Sequence, residues 1–401
     1  MSEAIAHFKT ALVKTALARR VPTADARPSR IRALDAVRGI AALQVVLTHC
    51  IDTVPAAHAL EYAGATALLA PLIGGKEGRA AVIVFFVLSG FVLSLWPVIG
   101  YRGYGSYLVR RFCRIYLPFA TVILVCALVA SRLPLEPVTG LQSWFNWLWS
   151  EPVDGRRLLG NLVMTNRWRD VNLNPSMWSL AYELRISLIF PALVLLTRRV
   201  PAAALAGGIA LSLGCELLSW RLLPDRGAIY VDGNPLEALI HTTYFAVFFV
   251  AGIVSALFAG DVGAWLAKRR WASIALAVTA WLAFCWPANR LLSDFSYAVG
   301  ACAVIALAIG APRVAAFLEA QPLQWLGRVS YSLYLVHLPV LIVGVHLLHD
   351  RMPLVLVLGT SVLAALVAAE LCCRYVEQPA ARVGRRLSRL LNIHPAVAVG
   401  G

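Results

Sequence analysis

Residues 34–54 read Leu34-Asp-Ala-Val-Arg-Gly-Ile-Ala-Ala-Leu-Gln-Val-Val-Leu-Thr-His-Cys-Ile-Asp-Thr-Val54. Between Asp35 and Asp52 the only basic side chains are Arg38 and His49. A helix needs roughly 20 apolar residues to cross a bilayer, and this run supplies them. Wound as a helix, the eleven steps from Arg38 to His49 make about three turns plus 20°. The two side chains therefore share one face, roughly 16 Å apart along the axis. Ionisable groups at such depth are costly and mark functional sites by default.

Nine further apolar runs follow, giving spans at about 34–54, 80–98, 113–131, 176–196, 201–219, 237–258, 271–288, 293–311, 323–347 and 353–375. The composition agrees: 60% of the 401 residues are hydrophobic and only 14% charged, with a mean hydropathy of +0.73. A soluble domain is nearer half apolar and a quarter charged, so lipid must solvate much of this surface. The expected fold is all-α, a polytopic integral membrane protein of about ten transmembrane helices with both termini cytosolic.

Loop charges test that count. Inner connections carry Arg102, Arg110, Arg111 and Arg114, then Arg198 and Arg199, then Lys268, Arg269 and Arg270, then Arg313. The tail adds Arg382, Arg385, Arg386 and Arg389, whereas an outer loop mixes Asp225, Arg226 and Asp232. This is the positive-inside pattern, and it accounts for the formal charge of +15 without a nucleic-acid partner. No segment resembles an RNA- or DNA-binding module. The eight cysteines form no CxxC pair and no zinc spacing, so neither structural disulfide nor metal is expected.

The chain divides into a basic cytosolic segment over 1–32, a transmembrane domain over 33–379 and a basic cytosolic tail over 380–401. The first 30 residues lack the long apolar core of a cleavable signal. Ile5, Phe8, Leu12 and Ala16 recur at helical spacing, which fits either a short helix on the inner leaflet or a disordered tail. The longest connection, 132–175, lies outside and holds Trp144, Trp147, Trp149 and Trp168. Within it, 155–165 is too short to span and reads as a re-entrant or interfacial helix.

Seven ionisable residues fall inside spans: His49, Glu183, Arg185, Glu216, His241, His337 and Glu370. Glu216 and His241 lie near span ends, within reach of water. Counting residues from the outer ends puts Glu183, His49 and His337 at one depth. At the opposite face Arg111 and Arg114 are neighbours on one helix face. Paired guanidiniums there suit either a phosphate ligand or lipid headgroups. Ser89 and Gly90 in the second span suit close helix packing.

Six segments in order resemble the acyltransferase-3 family of membrane O-acyltransferases. They are Leu34-Asp35 with Arg38-Gly39 and His49; Phe85-Phe86-Val87-Leu88-Ser89-Gly90-Phe91; Arg111 with Arg114; Trp178-Ser179-Leu180 with Glu183 and Phe190-Pro191; Leu326-Gly327 with Ser330-Tyr331-Ser332-Leu333-Tyr334 and His337; and Val376-Glu377-Gln378-Pro379. Many members carry a second acidic residue after the glutamate, where this chain has Leu184. With its end soon after the last span, the chain resembles the stand-alone form without an attached hydrolase-like domain.

The resemblance implies a multi-pass protein of the cytoplasmic (inner) membrane. It implies transfer of an acyl group, commonly acetyl, from cytosolic acyl-CoA to a hydroxyl. The acceptor would be a sugar of an envelope polysaccharide, a lipid-linked glycan or a secreted glycoside. It assigns Arg38, Arg111 and Arg114 to the CoA and a catalytic role to His49. A sugar hydroxyl needs a base with a pKa near neutrality, which suits histidine. Glu183 is expected either to orient His49 or to bind acceptor. His337 is expected to bind acceptor, to stabilise the oxyanion or simply to be structural, with Trp178 and Ser89 as further acceptor contacts. A transporter or flippase is the alternative from another class, since it too would bury ionisable groups among apolar spans. The absence of an internal repeat argues against it.

Overall fold

The computed structural model describes residues 31–54, 78–95, 103–133, 136–222, 231–285 and 290–391, with the side chains of 168, 169, 290 and 291 excepted. The basic segment expected over 1–32, and the amphipathic helix considered within it, lie outside the described residues up to position 30. Among those described, every regular element is helical. Eight helices are long and apolar enough to cross a membrane, and two shorter apolar helices, Gly78–Ser94 and Arg270–Cys285, accompany them. Each of the ten overlaps one expected span.

In chain order the long elements are α1 (Arg32–Thr53), α2 (Gly78–Ser94) and α3 (Gly103–Ala130). Three short helices follow outside, α4 (Ser143–Trp147), α5 (Gly155–Leu162) and α6 (Trp168–Val171). Next come α7 (Met177–Arg199), α8 (Pro201–Leu222), α9 (Pro235–Leu257), α10 (Ala259–Ala267), α11 (Arg270–Cys285), α12 (Arg290–Gly310) and α13 (Pro312–Leu318). The chain closes with α14 (Gln321–Leu348), α15 (Leu354–Cys372), a π-helical turn over Cys373–Glu377 and α16 (Gln378–Leu390).

Lipid supplies no hydrophobic drive between helices, so small residues that let backbones approach decide which helices pair. Gly39 of α1 lies against Gly327 of α14: a Cβ on Gly39 would stand 2.5 Å from Gly327 N and 2.7 Å from Leu326 C. Gly327 in turn abuts the backbone of Asp35. Gly90 of α2 and Gly252 of α9 make a second contact of this kind, each against the other helix's backbone. These two seams place α1 beside α14 and α2 beside α9. Around them, Phe86, Phe245, Phe248, Phe249, Phe190 and Tyr182 fill the core without solvent exposure.

One boundary differs from the expected spans. Helix α3 starts at Gly103, ten residues before the expected 113, so Arg111 and Arg114 lie two to three turns inside a helix. The extra turns are polar and aromatic and read locally as loop. They are helical because α16 packs along them: Ser106 Oγ donates to Ser388 O at 2.9 Å and Arg110 Nε to Ser388 Oγ at 2.7 Å. Gly384 gives the clearance, since a Cβ there would stand 2.8 Å from Cys113 Cβ. The segment expected as a basic tail therefore begins as a helix seated on α3.

His241, expected near water, is instead 1% exposed. It shares Asp232 with Tyr182 and Arg185, at 2.9, 2.7 and 2.6 Å. Arg185 also donates to Met164 O at 3.0 Å, and Asp232 N to Asn166 O at 2.8 Å. This network fastens the outer segment to α7 and α9. A second buried knot joins Arg79 to Asp294 through two bonds of 2.7 and 2.6 Å, with Tyr244 donating to the same carboxylate at 2.7 Å.

Candidate active site

The α1–α14 seam sets the register of the site. Ten residues separate Gly39 from His49, and ten separate Gly327 from His337. The helices run parallel, so equal steps from the glycine contact bring the two histidines level. Their nitrogens meet: His49 Nδ1 and His337 Nε2 are 2.9 Å apart. The rings are nearly parallel at 7° with centroids 5.1 Å apart, which with that short contact describes two imidazoles edge to edge in one plane. His337 Nδ1 lies 3.0 Å from the carbonyl of Leu333. His337 is 1% exposed, whereas His49 is only partly buried.

The outer segment roofs this pair. Trp144, on α4, stacks on His49 with centroids 5.1 Å apart and planes at 12°. Helix α4 is held by Gln142 N donating to Thr53 O at 3.3 Å, and by Phe145 stacking on His346 at 5.7 Å. Further along, the buried Arg157 side chain donates to Glu151 O, Pro152 O and Asn172 Oδ1, and Asn172 donates to Trp147 O. Burial pushes the Arg157 guanidinium below its ordinary pKa, against the pull of nearby carboxylates. Trp149, Met164 and Asn166 adopt φ of 58°, 53° and 60°. Such left-handed non-glycine backbone persists only where its surroundings hold it. For Trp149 the hold is Nε1 donating to Leu173 O at 2.7 Å.

Prolines shape the three helices that carry the remaining site residues. A proline inside a helix lacks the N–H that would bond four residues back. Pro339 in α14 thereby releases the carbonyl of Leu335, and Asn174 Nδ2 takes it at 3.0 Å. This joins the start of α7 to α14 two residues from His337. Pro118 lies one turn above Arg114 in α3, and Pro191 one turn beyond Ser187 in α7.

Glu183 does not join the histidines. Its Oε1 accepts from Arg111 at 2.7 Å and from Ser89 Oγ at 3.0 Å, while Arg111 Nε donates to Ser187 Oγ at 3.1 Å. The Arg111 and Glu183 side chains are 11% and 18% exposed. The single depth expected for three ionisable groups thus resolves into two levels. Tyr331 OH donates to Ile115 O at 2.5 Å and aligns α14 with α3. Six residues up to His337 and four down to Arg111 separate the levels by roughly 15 Å.

The inner level is a mixed-charge cluster. Arg38 pairs with Asp35 at 3.6 Å and lies within electrostatic range of Arg114, Glu183 and Glu377. Glu377, absent from the residues expected at the site although its motif was noted, accepts from Ser332 Oγ at 2.7 Å. It closes the π-helical turn, an irregularity common at functional sites. Trp178 packs among Phe86, Tyr182 and Phe245 at 5.7–6.5 Å between centroids. Ser89 donates to Glu183 at the inner level. Trp144 stands beside the histidine pair, and its place in a tryptophan-rich outer loop was the sequence signal for it.

A cavity of about 540 Å³ opens between α3, α14 and α15, with Val336 and Trp149 in its lining. The hydroxyls lining it, on Thr121, Thr360 and Ser361, all bond carbonyls of their own helices. The space is apolar. No group of three or more His, Cys, Asp or Glu side chains able to hold a metal occurs among the described residues.

Acyltransferase MdmB of Streptomyces mycarofaciens is 28% identical over 339 residues, covering 77% of this chain and 82% of that protein. The putative peptidoglycan O-acetyltransferase YrhL of Bacillus subtilis is 26% identical, covering 79% of this chain. Peptidoglycan O-acetyltransferase OatA of Listeria monocytogenes is 23% identical, covering 77%. The chain spans about half the length of the latter two, 53% and 52%. No solved structure matches. The acyltransferase domain model Acyl_transf_3 matches residues 31–371, from the start of α1 to the end of α15, and the chain belongs to that family as a multi-pass membrane acyltransferase.

Proposed function

We propose that this enzyme moves an acyl group, acetyl by preference, from cytosolic acyl-CoA to a hydroxyl of an envelope glycan or secreted glycoside. The inner (cytoplasmic) membrane would place it between donor and acceptor. Two relatives are named for O-acetylation of peptidoglycan, which favours a carbohydrate acceptor. The observation that carries the reading is the two-level site on one helix. Arg38 stands in the mixed-charge cluster at the cytosolic end of α1, and His49 lies three turns farther out on the same face. Guanidiniums bind phosphate through charge-assisted bonds, so Arg38, Arg111 and Arg114 suit the donor's nucleotide. The extended arm of the donor then reaches toward His49.

In this scheme His49 is the general base. The acceptor O–H bond breaks as its proton passes to His49, the new C–O bond forms at the acyl carbon, and the C–S bond breaks. The proton leaves with the thiolate as free CoA. Glu183 serves the donor level, fixing the Arg111 fork through a charge-assisted bond, with Arg114 on the next turn. The test is acetyl transfer from radiolabelled acetyl-CoA in membranes containing wild type or His49→Ala. General-base removal should cost about a hundredfold or more. A folded His49→Ala enzyme with undiminished transfer would overturn the assignment.

A further inference from the structure

We infer that His337 is the positioning residue of this site, holding His49 in the one tautomer that can act as base. The inference deepens the reading of His49 as base and rests on it for its catalytic meaning. The tautomer itself is measurable without turnover.

The argument starts from a backbone oxygen. Leu333 O lies 3.0 Å from His337 Nδ1, and a carbonyl can only accept. Nδ1 of His337 therefore carries the hydrogen. In a neutral imidazole the other nitrogen then holds a lone pair, so Nε2 of His337 is an acceptor. His49 Nδ1, 2.9 Å away, must donate to it. With its hydrogen on Nδ1, neutral His49 keeps its lone pair on Nε2. Each step is forced by the one before it, and the chain is anchored in the α14 backbone.

The alternative, a cationic His337 donating from both nitrogens, would bury a charge on a ring that is 1% exposed. None of the three carboxylates of the inner cluster compensates it. Asp35 pairs with Arg38, Glu183 is bonded to Arg111 and Ser89, and Glu377 to Ser332. A buried charge without an opposite partner is strongly disfavoured. The near-coplanar rings fit an in-plane N–H···N bond.

His337 thus takes the role that a carboxylate plays in other base–orienter pairs. When His49 receives the acceptor's proton on Nε2, its Nδ1–H continues to donate to His337. The proton then leaves from Nε2 to the departing thiolate, and His337 ends the cycle unchanged.

Nitrogen NMR of histidine-labelled enzyme tests this directly, with His49→Ala identifying the His49 signals. The expected spectrum shows His49 protonated at Nδ1 and bare at Nε2. His337→Leu removes the acceptor. It should release His49 into a mixture of tautomers and lower kcat about 10- to 100-fold, with KM for acyl-CoA unchanged. His337→Gln offers an amide oxygen at a similar reach and should recover most of that loss. A wild-type spectrum with His49 protonated at Nε2 overturns the inference. So does a folded His337→Leu enzyme with full kcat, or one whose loss lies wholly in KM. If His49→Ala keeps normal transfer, the base reading fails separately from the tautomer, which the spectrum alone decides.

Discussion

Gly39→Ala should separate the two histidines without unfolding the protein. The new Cβ would stand 2.5 Å from Gly327 N, where ordinary van der Waals contact begins near 3.4 Å. The shortfall of about 0.9 Å lies against backbone, which cannot rotate away, so α1 and α14 must part by that much. Carried to the same pair of helices ten residues farther, it stretches the His49–His337 contact from 2.9 Å to about 3.8 Å, outside hydrogen-bond range. Overpacking of this kind costs about 1–3 kcal/mol, which a protein with many other helix contacts survives. Misplacing a catalytic group by about 1 Å costs on the order of a hundredfold in rate. Acetyl incorporation from radiolabelled acetyl-CoA, with a thermal melt beside it, should show a folded enzyme with about a hundredfold less transfer. Gly359→Ala, whose Cβ would meet nothing within 4 Å, is the control and should be silent. If folded Gly39→Ala transfers acetyl at the wild-type rate, the glycine seam does not set the register of the site and the reasoning fails.

Three more outcomes can be checked. Glu183→Ala strands a largely buried Arg111 and should lower stability by about 3 kcal/mol. Pairing it with Arg111→Met should restore the melting temperature without restoring acyl-CoA binding, and restored binding would contradict a donor role for Arg111. Trp144→Ala removes a stack worth about 1 kcal/mol. Transfer should fall about fivefold while acetyl-CoA affinity holds, and unchanged transfer removes Trp144 from the site. Asn174→Ala leaves the Leu335 carbonyl unbonded beside Pro339 and should cost about 1–3 kcal/mol in a thermal melt. A neutral result would mean that another donor takes that carbonyl.

The spans were legible because bilayer thickness imposes a length and composition that single segments reveal. The face shared by Arg38 and His49 was equally legible, since helix geometry fixes it. What local pattern could not show was lateral. Ser106 and Arg110 read as loop because their helical partner, α16, lies some 280 residues away in the chain. Glu183 and His49 share an approximate distance from the outer end, yet Arg111 captures the carboxylate first. His337 was found by depth, but its partner depends on the Gly39–Gly327 contact, and a glycine announces clearance without naming its neighbour. Glu377 stood in a noted motif, but its meaning appeared only with the π-helical turn and the bond from Ser332.

The most direct test of the account is a calorimetric titration of acetyl-CoA into purified wild type, His49→Ala and the double variant Arg111→Ala, Arg114→Ala, each confirmed as folded. The account predicts that wild type and His49→Ala bind alike, because the histidine serves the reaction and not the nucleotide, and that the double variant binds at least tenfold more weakly. Wild type that binds no acetyl-CoA, or a double variant that binds it as well as wild type, would contradict a donor site built from these arginines.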